Sequence, residues 1–175
     1  MDNMMRTIGK HITTNFATFG LAAATDLCLI EKPKGALVDG AKKLIVLDLR
    51  TMGDTSKKVP FGNQVGSGKW GERFQTVLEI ECKTRAADPS LDYYWNTARK
   101  FRDTVYGALA GSSRGGLVIP RKDWTDPLNP VDAGQIWFEV DPSRNSPLED
   151  PIEDQDDPAN KSIMLTYTVR WWRPI

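Results

Sequence analysis

Over Lys161 to Ile175 the chain sorts its side chains onto two alternating sides. Ile163, Leu165, Tyr167, Val169 and Trp171 fall on one side, and Met164, Thr166, Thr168, Arg170 and Trp172 on the other. That two-residue period predicts a long β-strand. Trp171 and Trp172 point to opposite faces of its sheet, so both faces need an apolar cover at this end, and a partner is a natural source of the second. Arg73 to Arg85 repeats the pattern, with Phe74, Thr76, Leu78, Ile80 and Cys82 inward and Gln75, Glu79, Glu81 and Lys83 outward; Val77 is the exception. Lys43 to Arg50 (KLIVLDLR) reads as a mostly buried strand, with Leu44, Val46 and Asp48 on one face and Ile45, Leu47 and Leu49 on the other. Successive strands usually neighbour each other, so these last two predict an antiparallel hairpin with an extended tip.

Helical spacing takes over in two places. Ile8, Ile12, Phe16, Phe19 and Ala23 predict an amphipathic helix from about Thr7 to Ala24. Asp88 and Pro89 supply an N-cap and a first-turn proline for a second helix, whose apolar stripe runs through Leu91, Tyr94, Trp95, Ala98, Phe101, Val105, Ala108 and Leu109 to a stop at Gly111. Its other side, with Arg99, Lys100, Arg102 and Asp103, reads as a solvated face. Short strands are expected at Leu27 to Ile30, Leu117 to Pro120 and Gln135 to Val140.

Two segments lack either period. Met52 to Gly71 holds five glycines and Pro60 and predicts a long flexible excursion, while Asp141 to Asn160 is acidic and proline-rich and reads as a loop. Elements in this order, without regular βαβ alternation, predict an α+β fold. The expected architecture is a mainly antiparallel sheet packed by two amphipathic helices, with long loops, in a single domain spanning 1–175.

Composition narrows the class. At 175 residues, 40% hydrophobic and 26% charged, the chain suits one sizeable core. No apolar run approaches the roughly 20 residues that span a bilayer, and the first ten residues lack the apolar stretch of a secretory leader. No membrane association is expected. Cys28 and Cys82 sit in strand-like apolar patterns and read as buried free thiols. Net charge is zero but segregated: residues 1–122 carry 19 Lys/Arg and 12 Asp/Glu, and residues 123–175 carry 4 and 11. Such a chain suits head-to-tail contact between copies, and equally a loop kept solvated by its charge.

Catalytic signals are weak. In Gly62 to Trp70, Asn63 stands where the first glycine of a phosphate-binding loop belongs and Trp70 where its hydroxyl belongs. The carboxylates at 149, 150, 153, 154, 156 and 157 lack the ligand order and central glycine of an EF-hand. His11 is the sole histidine, leaving little support for a zinc site or a nucleophile-histidine pair. No catalytic residue, metal ligand or cofactor is therefore expected. Of the six tryptophans, Trp95 reads as core, whereas Trp70 and Trp124 lie in loops and are candidate interface anchors. Lys57, Lys58, Phe61, Arg99, Arg102, Glu153, Asp154 and Trp172 complete the candidate contact set.

The order of elements, carried by KLIVLDLR at 43–50, ERFQTVLEIECKTR at 72–85, the helix from Asp88 to Ala110 and IMLTYTVRWW at 163–172, resembles the tail terminator (tail completion) proteins of long-tailed bacteriophages. The resemblance covers most of the chain. It implies a non-enzymatic virion protein of the tail or neck, assembled in the host cytoplasm. Such a protein forms a homohexameric ring that caps the tail tube and docks the head-tail connector or stopper protein, and DNA passes through without specific binding. It would place Met52 to Gly71 against a neighbour or the tube, and Asp141 to Asn160 on a rim or near the channel. Two alternatives stand beside it: another neck or tail-tube component of the virion, and a small soluble enzyme or ligand-binding domain.

Overall fold

The computed structural model describes residues 2–30, 42–49, 57–58, 71–85, 96–110, 116–139, 150–153 and 160–174. In chain order the elements are α1 (Asp2–Thr14), β1 (Leu27–Ile30), β2 (Lys43–Leu49), β3 (Lys57–Lys58), β4 (Gly71–Arg85), α2 (Asn96–Ala110), β5 (Val118–Asp123), β6 (Val131–Glu139), β7 (Asp150–Glu153) and β8 (Asn160–Pro174). The fold is α+β, and its sheet is mixed. The main path runs β1-β2-β4-β8-β6-β5, with β3 added to β4 and β7 to β8. Only β1 and β2 run parallel among these pairs; the rest are antiparallel.

The spine is the β4–β8 pair, in register from Gly71 opposite Pro174 to Arg85 opposite Asn160. The expected hairpin of β2 and β4 forms, with Ile45 opposite Cys82 and Leu47 opposite Ile80. This register puts Ile45, Leu47, Leu78, Ile80, Cys82, Leu165, Tyr167 and Val169 on one face, where all are buried. Both helices cover that face. From α1 come Met4, Met5, Ile8 and Ile12, and from α2 Phe101, Val105 and Leu109. Burying each such side chain contributes about 1.5–3 kcal/mol, so the helix-covered face holds the dominant stabilising surface.

The sheet curls far enough for α1 to touch both of its edges, β1 and β5. At the first edge Gly9 makes the approach possible, since a Cβ there would lie 3.0 Å from Ile30 Cδ1. At the second, the Thr7 hydroxyl uses its full capacity: it donates to the Asn3 carbonyl at 2.6 Å and accepts from Lys122 N at 3.1 Å and Trp124 Nε1 at 3.0 Å. Asn3 adds a bond to Asp123 through Nδ2 and accepts from Trp124 N through Oδ1.

Several boundaries differ from expectation. The first helix starts earlier and stops at Thr14, where Asn15 N shares the carbonyls of His11 and Ile12 and Asn15 Nδ2 also takes the His11 carbonyl. Tight turns carry the same spacing on to Phe19, and Gly20, with φ at +68°, closes them: Gly20 N donates to the Ala17 carbonyl and Leu21 N to the Phe16 carbonyl. Phe16 and Phe19 therefore keep their inward direction beyond the helix, but Ala23 is exposed. Buried Asp26 then fastens the chain to β2, accepting from Ala22 N, Thr25 Oγ1 and Lys43 N. The strands at 118–123 and 131–139 are longer than expected and form a hairpin.

Asp150–Glu153, read from sequence as loop, is a strand on β8, and Lys57–Lys58, inside the expected excursion, is a strand on β4. In both, backbone pairing to a long neighbouring strand outweighs an unpromising local composition. The Asp88–Pro89 cap, the apolar positions Leu91, Tyr94 and Trp95, and the Gly111 stop lie outside the described residues.

Candidate functional site

The strands that bury Ile136 and Phe138 completely expose their alternate positions. Trp137 is 38% exposed and Val118, opposite it in the register, 50%; at the other end of the same hairpin Val131 is 62% and Leu128 89% exposed. Four of the five exposed large hydrophobics among the described residues thus lie on β5, β6 or their connection, the fifth being Ile30. Scattered surface apolar groups need no explanation, whereas four on one supersecondary unit make it the candidate contact surface. Arg170 on β8 organises the patch, lying 5.7 Å from the Trp137 ring centre and pairing with Glu139 at 2.9 Å.

The edge of β5 is poorly suited to strand addition. Pro120 supplies no N–H, the ladder is broken between Pro120 and Lys122, and Lys122 N is taken by Thr7. Such devices protect edges against pairing with another chain. Contact through this hairpin must therefore use its face.

A second feature is an open trough of about 330 Å³ on the outer side of α1. Arg6, Gly9, Lys10 and Thr13 of α1, Cys28 and Ile30 of β1, and Trp124 and Pro127 from the turn after β5 line it. Arg6 and Lys10 are exposed, and their charged groups have no hydrogen bond or ion pair with another described residue. Two carboxylates in the neighbouring turn are engaged locally. Hydrogen bonds from the Thr125 hydroxyl and backbone hold Asp123 below its ordinary pKa, and bonds from Asn129 and Leu128 do the same for Asp126.

The residues singled out from sequence scatter. Lys57 and Lys58 pair with Gln75 and Phe74, at the end of the spine where Trp172 pairs with Arg73. Those three candidate positions lie near one end of the β4–β8 pair. Arg99 is exposed on α2, whereas Arg102, expected on the same solvated face, is largely covered, with 14% side-chain exposure and its Nε 2.7 Å from Asp103. Trp124 is half-buried and its indole N–H is spent on Thr7, so it anchors β5 to α1 within the chain. Glu153 ends β7 opposite Lys161. Phe61, Trp70 and Asp154 lie outside the described residues.

Sequence reasoning passed over Trp137, Val118, Arg6 and Lys10. The alternation around Ile136 and Phe138 pointed Trp137 outward, and the four-residue spacing of Arg6 and Lys10 placed both opposite the apolar stripe; these signals were available.

Burial pushes the Cys28 thiol up to about 12 and raises Cys82 and Tyr167 further, so all three stay protonated near neutrality. His11, edge-on to Phe19, is lowered by burial. Among the described residues no group of three His, Cys, Asp or Glu is placed to hold a metal ion, and no helix is long and apolar enough to cross a membrane. A scan against protein-family models finds no match to the sequence, and a search of curated proteins finds no significant one.

Proposed function

We propose that this chain is a structural virion protein that assembles into a ring, hexameric by the resemblance, capping a phage tail tube and docking the head-tail connector or stopper. It acts without catalysis or cofactor, and DNA passes through the ring unread. The observation that carries the reading is the apolar surface concentrated on the β5–β6 hairpin. A protected strand edge beside an open apolar face suits repeated face packing between copies, and heterologous contacts of that kind close into rings when their rotation permits. Segregated charge along the chain supports the same geometry, because one copy's basic surface can meet the next copy's acidic one.

Electron microscopy of tails made with and without the protein tests the role. Overlong or headless tails in its absence are expected. Normal tails carrying heads would overturn the proposal, and complete absence of tubes would move the protein to the tube itself. Light scattering with and without purified tubes tests assembly; a monomer under both conditions would overturn the ring.

A further inference from the structure

We infer that the trough beside α1 receives the acidic stretch 149–157 of a neighbouring copy, an assignment that rests on the ring reading. Arg6 and Lys10 stand one helical turn apart on the same rim, both exposed and without a described partner. The acidic groups closest in sequence to Trp124 and Pro127, Asp123 and Asp126, accept hydrogen bonds from Asn3, Thr125, Leu128 and Asn129 and form no ion pair with Arg6 or Lys10. Gly9 contributes no side chain to the lining, and Ile30 and Trp124 offer apolar contact. The lining therefore combines two cations from α1 with apolar groups from β1 and the turn after β5.

The chain contains a segment of the complementary chemistry. Glu149, Asp150, Glu153, Asp154, Asp156 and Asp157 bring six carboxylates into nine residues, with Ile152 among them and Pro151 favouring an extended backbone. Asp150–Glu153 is held as a strand on β8, while the trough lies along α1 and β1, so the pairing is assigned between copies. An open trough suits an extended segment better than a small enclosed ligand, which is normally surrounded on most sides. Rim charges of this kind set register and approach, and they are screened by salt.

The test uses the full-length protein and a fluorescent peptide of residues 147–158, followed by anisotropy. Binding at low ionic strength is expected, weakening about tenfold or more as salt shortens the screening length to a few ångström. The double variant Arg6→Glu, Lys10→Glu changes exposed side chains and should fold normally by circular dichroism, yet lose at least about tenfold in affinity, one factor of ten for each 1.4 kcal/mol. A peptide with Glu149→Lys and Glu153→Lys should recover binding to that variant. No binding by the wild-type peptide, equal binding by a scrambled peptide, or indifference to the double variant would overturn the inference, as would inorganic pyrophosphate binding more tightly than the peptide. Ring assembly on tubes is scored in parallel. If the wild type and the charge-reversed variant assemble equally, the trough assignment falls while the ring stands; if the wild type does not assemble, the ring reading falls and takes the neighbouring copy with it.

Discussion

Phe138 and Trp137 are consecutive residues of one strand and live in opposite environments. Phe138 is fully buried, edge-on to Tyr167 at 6.2 Å, beneath a helix-covered face. Trp137 is 38% exposed on the other face, opposite Val118 in the register, with Arg170 over its ring and Glu139 paired to that arginine. One face of the β5–β6 hairpin is thus buried under the helices, and the other keeps Trp137 and Val118 exposed, which the proposed ring would use for contact. Stability should depend on the first face and assembly on the second.

Phe138→Ala gives the largest effect. Removing a buried aromatic side chain should cost about 3–5 kcal/mol, read as a lower urea midpoint; a loss below about 1 kcal/mol would show that the inner face is less tightly filled than its burial implies. Gly20→Ala comes next, because φ is +68° and a Cβ would sit 3.1 Å from Thr104 Cγ2. Left-handed backbone alone costs an alanine about 1–2 kcal/mol, and thermal unfolding measures it.

Trp137→Ser on the open face should change stability by less than about 1 kcal/mol while abolishing assembly on tubes. Destabilisation as large as that of Phe138→Ala would erase the contrast between the faces, and undiminished assembly would remove the hairpin from the ring contact. Acid has the smallest effect. Asp123 has a lowered pKa in the fold, so its contribution is present above the ordinary carboxylate value and lost as pH falls through the folded one. NMR titration should show the Asp123 carboxyl protonating below pH 3.8, together with loss of the Thr125 amide shift; titration at or above that value would separate the turn from the α1 clamp.

Much of the sheet was legible because its side chains largely alternate: β2, β4 and β8 declare their existence, and β4 and β8 their helix-covered faces, although Glu81, expected outward, is also buried. The antiparallel β2–β4 pairing followed from order alone. Less legible were elements that depend on distant partners. β7 carries acidic residues and proline that argue for loop, and only β8, already extended, supplies the ladder that makes it a strand. The end of α1 was obscured because tight turns preserve a near-helical rhythm through Phe16 and Phe19. The tie of Trp124 to α1 was hidden because Thr7, which accepts its indole N–H, lies 117 positions away. The candidate contact set leaned on charged and aromatic residues in irregular segments, while the exposed apolar groups sit within regular strands, where alternation shows direction but not whether a cover exists.

The bridging position of α1 bears on the order in which the chain can fold. Its apolar stripe is synthesised before the strands it packs against, and the clamp formed by Asn3 and Thr7 waits for Lys122 to Trp124. For about a hundred residues of synthesis Met4, Met5, Ile8 and Ile12 lack the β5 side of their final surroundings, an opportunity for chaperone capture. Pulse-labelling hydrogen exchange during refolding should find the α1 amides protected no earlier than those of β5; earlier protection would mean that the helix docks on β1 alone.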